Sequence, residues 1–169
     1  DKDGAPVGYG GAGLQSIAHI KTDNVLAELK DCTFRVACDV TNPLCGPMGS
    51  SAIYGPQKGA TPEMVEELDE ALLHYAELSK ETFDHADRLY PGTGAAGGMG
   101  FAFLTYTNAG LESGIKIVLE ETGLEEVMKD ADFVITGEGR LDSQTALGKA
   151  PIGVAHLAKK HGKKVLAFA

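Results

Sequence analysis

The sequence has no tryptophan, only seven prolines and three cysteines, and no long apolar run. Each shortage excludes something. An odd number of cysteines without a Cys-x-x-Cys pair supports neither a disulfide framework nor a zinc knuckle. No stretch reaches the roughly 18 apolar residues of a membrane-spanning helix. Asp1 to Gly4 carry no secretory signal pattern. Basic residues are short as well: 15 Lys and Arg stand against 24 Asp and Glu, a formal net charge of −9. A duplex-binding protein draws most of its affinity from neutralising phosphates, so no nucleic-acid partner is expected. The same sign argues against an anionic membrane surface. The expected location is the reducing cytoplasm.

Glycine is plentiful instead, at 22 of 169 residues. That is about 13%, against a usual value of roughly 7%. Without a collagen-like period, those glycines belong in tight turns and close backbone approaches. A hydrophobic share of 43% and a charged share of 23% describe an ordinary globular chain. Its length suits one domain, or one and part of a second. The chain opens without Met and closes on the apolar run Val165 to Ala169, so it reads as a fragment of a longer protein.

Local patterns set out the elements. Gly8 to Gly13 form a first glycine cluster, followed by a short amphipathic stretch from Leu14 to Ile20. Thr33 to Cys38 are strand formers and read as a buried strand. Asn42-Pro43 and Gly46-Pro47 then open a long loop that runs through Gly59. Thr61-Pro62-Glu63 combines a capping hydroxyl, a first-turn proline and a first-turn acid. Apolar residues from Met64 to Leu78 follow at three- and four-residue steps, predicting a helix over about 62–86. His74 and His85 fall in it as polar positions on a solvated face. A small-residue helix is expected to end near Thr107, with further helices over Ser113–Thr122 and Leu124–Lys129. Residues 133–169 read as strand, loop, helix from Pro151, and strand from Lys164: a parallel βαβ unit. The fold class is therefore α/β.

Two runs match Gly-x-Gly-x-x-Gly, Gly8 to Gly13 and Gly92 to Gly97. A dinucleotide site needs a strand immediately upstream, which neither has. For the second run, two readings stay open: backbone amides facing an anion, or close helix packing. Gly148-Lys149 falls short of a P-loop, because Ala150 and Ser143 stand where a hydroxyl residue and the first glycine belong. The strongest chemical signal is the loop Gly137 to Ser143, at the carboxyl end of a strand, where open α/β sheets bind ligands. It offers Glu138, Arg140 and Asp142, which read either as ligand-binding groups or as a solvated turn with an Arg–carboxylate surface pair. Asp39 and Asn42 also follow a strand. An aspartate there can serve as a general base, hold a metal-bound water, or cap the turn. Lys58 is a candidate point charge for phosphate. No Gly-x-Ser-x-Gly is present; Cys38 reads as a buried core residue, and Cys45 lies in a loop with no nearby histidine in the sequence.

Arg35 to Leu44, Tyr54 to Thr61, Pro91 to Gly100, Val134 to Gln144 and Lys149 to Ala155 resemble, in order, motifs of the bacterial glycerate kinases of sugar-acid degradation. The resemblance spans essentially the whole chain. It implies ATP-dependent phosphorylation of D-glycerate to 2-phosphoglycerate, and two α/β domains with the site between them. On that picture residues 1–112 belong to an inserted α/β domain and 113–169 to part of a flavodoxin-like domain. The family's opening strand and helix and its closing strands have no counterpart here.

The resemblance further implies Asp39, Arg140 and Lys58 as catalytic candidates. Asn42, Gln57, Thr93, Gly94, Gly97, Gly98, Glu138 and Ser143 are candidates for binding substrate or nucleotide. Asp142 and Glu138 are candidates for Mg²⁺. Implied cofactors are ATP and Mg²⁺, and the small-molecule partner is D-glycerate. A homo-oligomer stays open. The competing reading is a non-catalytic module that binds a small anion or another chain. A metal-dependent nuclease lacks the acid pattern and has the wrong charge.

Overall fold

Thr61 starts the longest helix of the computed structural model, which describes residues 1–140 and 150–169. Its hydroxyl accepts a hydrogen bond from the Met64 amide, and Pro62 occupies the first turn. The chain divides into two compact units, Asp1–Leu111 and Glu112–Ala169.

The first unit carries strand β1 (Arg35–Ala37), helix α1 (Ser50–Tyr54), helix α2 (Pro62–Thr82) and helix α3 (Met99–Tyr106). Strand β2 (Gly110–Glu112) runs to the division and pairs with β1. Short 3₁₀ turns cover Gly11–Ser16, Ala27–Asp31, Pro56–Lys58 and Ala95–Gly98. The core gathers Leu44 and Cys45 from the loop after β1, Leu72 and Ala76 from α2, Ala86, and Phe101 from α3. Tyr75 meets Phe101 edge-on with ring centroids 5.4 Å apart. Burial pushes the Tyr75 phenol well above its ordinary range, and the Tyr106 hydroxyl beside it adds to the shift.

Two expectations need correction in this unit. Helix α2 ends at Thr82, short of residue 86. The Phe83 amide still closes on the Ser79 carbonyl, but Phe83 itself turns extended (φ −130°). Its ring then packs edge-on against Tyr106 at 5.2 Å, a contact that continuing the helix would forfeit. Strand β1 is three residues long and not buried: Arg35 and Ala37 are exposed and Val36 is half-buried. It ends before Cys38, whose thiol turns to the Val40 carbonyl at 3.3 Å.

The second unit holds helices α4 (Gly114–Glu121), α5 (Leu124–Lys129) and α6 (Ala150–Lys160), with strands β3 (Phe133–Gly137) and β4 (Lys164–Phe168). Strands β3 and β4 are parallel, with Phe133 opposite Lys164 and Gly137 opposite Phe168. Helix α6 is the crossover between them, so the expected βαβ unit is present and the chain is α/β. Gly162 (φ +66°) stops α6 in a left-handed turn, its amide on the Lys159 carbonyl and that of Lys163 on the Ala158 carbonyl. Phe133, Ile135, Leu166 and Phe168 form an exposed row on the sheet.

Candidate functional site

In the first unit, the loop leaving β1 is locked to the second glycine cluster. The Gly94 amide donates to the Asn42 carbonyl at 2.9 Å. A Cβ on Gly94 would lie 2.2 Å from the Pro43 carbonyl oxygen. Gly92 (φ +93°) sits against the Cys38 sulfur, and Gly98 against Leu44. Gly92, Gly94 and Gly98 are buried. Thr93 is fully buried too, its hydroxyl held at the Arg88 and Tyr90 carbonyls, 3.0 and 2.8 Å away. These residues therefore shape the loop and offer little surface of their own. Gly97 differs: it is exposed and left-handed (φ +72°), and a Cβ on it would meet nothing within 4 Å.

Asn42 is also committed internally. Its Nδ2 donates to the Met48 carbonyl at 2.8 Å, and its Oδ1 accepts from the Tyr54 hydroxyl at 2.7 Å. Both carboxylate oxygens of Asp69, on α2, accept from the Gly46 amide, at 2.9 and 3.0 Å. The loop between β1 and α1 is thus pinned from three sides. Asp39 stands exposed at its start.

A cavity of about 470 Å³ opens beside this loop. Ser50, Ser51 and Tyr54 of α1 line it, with Lys58 from the next turn, Leu68 and Leu72 of α2, Ala96, Gly97 and Met99, and the first glycine cluster at Gly10, Gly11 and Leu14. It brings together Lys58 and Gly97 of the expected residues. Gln57 is exposed next to Lys58 but does not line the cavity, and neither does Asp39. Ala96 adopts a left-handed conformation (φ 49°) on its wall.

Sequence reasoning missed Ser50, Ser51, Tyr54 and Asp69. The available signal was a pair of small hydroxyl residues at the head of a short helix, four residues before a Gly-Pro-Gln-Lys turn. The Cys45 thiol is pushed up by burial, which outweighs the opposing Arg88 guanidinium 3.7 Å away. It is therefore a core thiol and no nucleophile.

In the second unit, Glu138 and Arg140 follow β3. Glu138 is half-buried, its amide donating to the Phe168 carbonyl at 3.1 Å, and Arg140 is exposed. Asp142 and Ser143 lie outside the described residues. A second cavity of about 580 Å³ lies among α4, α5 and α6 over Ile115, Leu119 and Leu157, and contains none of the expected residues. Among the described residues, no cluster of three His, Cys, Asp or Glu could hold a metal. No described helix is long and apolar enough to cross a membrane.

The architecture so far defines an α/β protein with a cavity lined by hydroxyls and walled by glycine-rich turns. Similarity to known proteins narrows this. A model of the glycerate kinase family matches residues 1–169. A glycerate kinase of Haemophilus influenzae is 50% identical over 169 residues, covering 100% of this chain and 45% of the relative. A glycerate 2-kinase of Escherichia coli is likewise 50% identical, with 44% of its length covered. A crystal structure of a candidate glycerate kinase 2 from Salmonella typhimurium superposes with a TM-score of 0.91 at 50% identity, over 99% of this chain and 45% of that one. The chain belongs to the glycerate kinase family. It spans less than half the length of these relatives.

Proposed function

We propose that the protein of which these 169 residues are a part transfers a phosphoryl group from ATP to the 2-hydroxyl of D-glycerate. The observation that carries this reading is the family match along the entire chain, at half identity to a glycerate 2-kinase. Phosphoryl transfer asks a protein for in-line positioning and charge neutralisation and for little covalent chemistry. The residues present suit that demand. Asp39, exposed in the loop two residues past β1, takes the proton of the attacking hydroxyl or holds the water that does. Lys58 and Arg140 bind the carboxylate of glycerate or the phosphates of ATP, Arg140 offering a bidentate fork. Gly97 brings exposed backbone to the same cavity wall as Lys58.

Mg²⁺ typically takes one or two carboxylates beside phosphate oxygens and water. Glu138, half-buried at the end of β3, fits as one of them, and Asp142 as the second. Bound there, the ion supplies charge neutralisation on the nucleotide phosphates. We assign the first unit to an inserted α/β domain and the second to a flavodoxin-like domain. Three unpaired cysteines go with a cytoplasmic enzyme.

The test is a coupled ADP-release assay on the full-length protein with ATP and D-glycerate, the product position being read by NMR. Glycerate-dependent release giving the 2-phosphate supports the reading, and Asp39→Asn then lowers kcat by about 100-fold or more. No glycerate-dependent release overturns it in favour of a non-catalytic anion-binding module. Near-normal turnover of Asp39→Asn removes Asp39 alone from the mechanism.

A further inference from the structure

The cavity of the first unit contains two hydroxyls that the fold itself does not use. Ser50 and Ser51 are 5% and 7% exposed. Neither side chain has a hydrogen-bond partner among the described residues, yet neither oxygen is sealed away from solvent; the sealed, unpartnered side-chain atom among the described residues is Thr105 Oγ1. Both serines therefore open onto the cavity they line. A hydroxyl left unpaired in such a place is unfavourable unless a ligand or water takes the bond. Two of them side by side mark a wall built for something that accepts hydrogen bonds.

The charge of the lining says what kind of acceptor. The chain carries a net charge of −9, with 24 acids in all. Among the described residues no carboxylate lines this cavity, and Lys58 is its sole charged lining residue. Donors of neutral and positive type converge where acids have been kept out. Leu14, Leu68, Leu72 and Met99 complete the walls and lower the local dielectric, which strengthens the lysine's pull on an anion.

We propose that Ser50, Ser51 and Lys58 together bind an oxyanion group, a carboxylate or a phosphate. The inference rests on the kinase reading only for the source of that group: the carboxylate of glycerate or a phosphate of ATP. Tyr54 does not serve as a donor here, because its proton already goes to Asn42 Oδ1.

The experiment is isothermal titration of the full-length protein with D-glycerate, with ATP and with inorganic phosphate. It compares the native protein with Ser50→Ala/Ser51→Ala and with Lys58→Met. Each lost contact to an anion should weaken binding by on the order of 10-fold. A loss confined to the ATP and phosphate arms places a nucleotide phosphate on the serines; a loss confined to the glycerate arm places the carboxylate there. The melting temperature of the serine variant should be unchanged or higher, because alanine suits a helix better than an unpaired serine. That combination separates lost ligand contacts from lost folding. Unchanged affinity in all three arms overturns the proposal. The kinase reading fails separately: a protein that binds phosphate through these residues but transfers no phosphoryl group keeps the site and loses the activity.

Discussion

The Tyr54 hydroxyl donates to Oδ1 of Asn42 across 2.7 Å, joining α1 to the loop that leaves β1. The direction of the bond is set from the other side. Met48 offers a carbonyl, which can only accept, so Asn42 must present its Nδ2 there and its Oδ1 to Tyr54. Tyr54→Phe leaves that oxygen without its donor and should destabilise the fold by about 1 kcal/mol. In a double-mutant cycle with Asn42→Ala by urea unfolding, the two changes should be coupled by a similar amount. Additive effects would mean that the bond does not hold the loop.

The glycines of the second cluster should respond to alanine for opposite reasons. Gly94 has an ordinary φ of −77°, but a methyl group would meet the Pro43 carbonyl oxygen at 2.2 Å. Backbone has to move, and the cost should be about 3 kcal/mol or more. Gly97 has open space but a φ of +72°, so Gly97→Ala should cost about 1 kcal/mol from the left-handed backbone alone. Chemical denaturation of both variants checks the order; equal costs would contradict the packing described for Gly94.

These glycines also show where reading the sequence stops. The start of α2 at Thr61-Pro62-Glu63 and the break between α4 and α5 were legible because each depends on neighbours in the chain. So was the parallel βαβ arrangement, from strand formers either side of a helix-period stretch. The end of α2 at Thr82 was not legible, since it turns on Phe83 meeting Tyr106, more than twenty residues later. The same holds for the site. Lys58 and Gly97 advertise themselves by residue type. Ser50 and Ser51 acquire meaning only once burial, the lack of a partner and a shared cavity are known. Thr93 looked like a binding residue by position, and the fold turns its hydroxyl inward onto carbonyls.

Thr105 should be improvable. It is 2% exposed, and its Oγ1 is sealed without a partner. Thr105→Val removes that hydroxyl while keeping the branched shape and nearly the same helix propensity. Stability should rise by about 1 kcal/mol, read as a higher urea midpoint with an unchanged slope. A fall would show that the hydroxyl finds a partner, such as an ordered water.

Asp69 should matter more than its half-exposed position on α2 suggests. Both its oxygens take the Gly46 amide, whose residue is held at φ +94°. A charged acceptor on a backbone donor contributes about 1.5–3 kcal/mol. Asp69→Ala should therefore lose about 2 kcal/mol, and Asp69→Asn, which keeps one oxygen, should recover part of it. Thermal unfolding of the pair decides between a lost bond and a lost charge: no recovery in the asparagine variant points to the charge.

Acid should act on the second unit through Glu125. Hydrogen bonds from Lys160 first, and from His161 second, hold its carboxyl down from an ordinary 4.5 to about 2. The two contacts measure 2.7 Å each. A carboxyl whose folded-state value is depressed stabilises the fold fully above its unfolded value and loses that contribution as the pH falls through the folded one. The stability difference between the native protein and Glu125→Gln should thus be fully present at pH 4.5 and close as the pH approaches 2. The pair is solvent-exposed, so the difference should be small and should shrink further in high salt. Urea titrations of both proteins across that pH range provide the check. A difference that persists to pH 2 would mean that the contribution does not depend on ionisation of Glu125 and that glutamine fails to reproduce it; no difference at any pH would mean that glutamine replaces the carboxylate as acceptor from Lys160, and that hydrogen bonding rather than charge holds α5 to the end of α6.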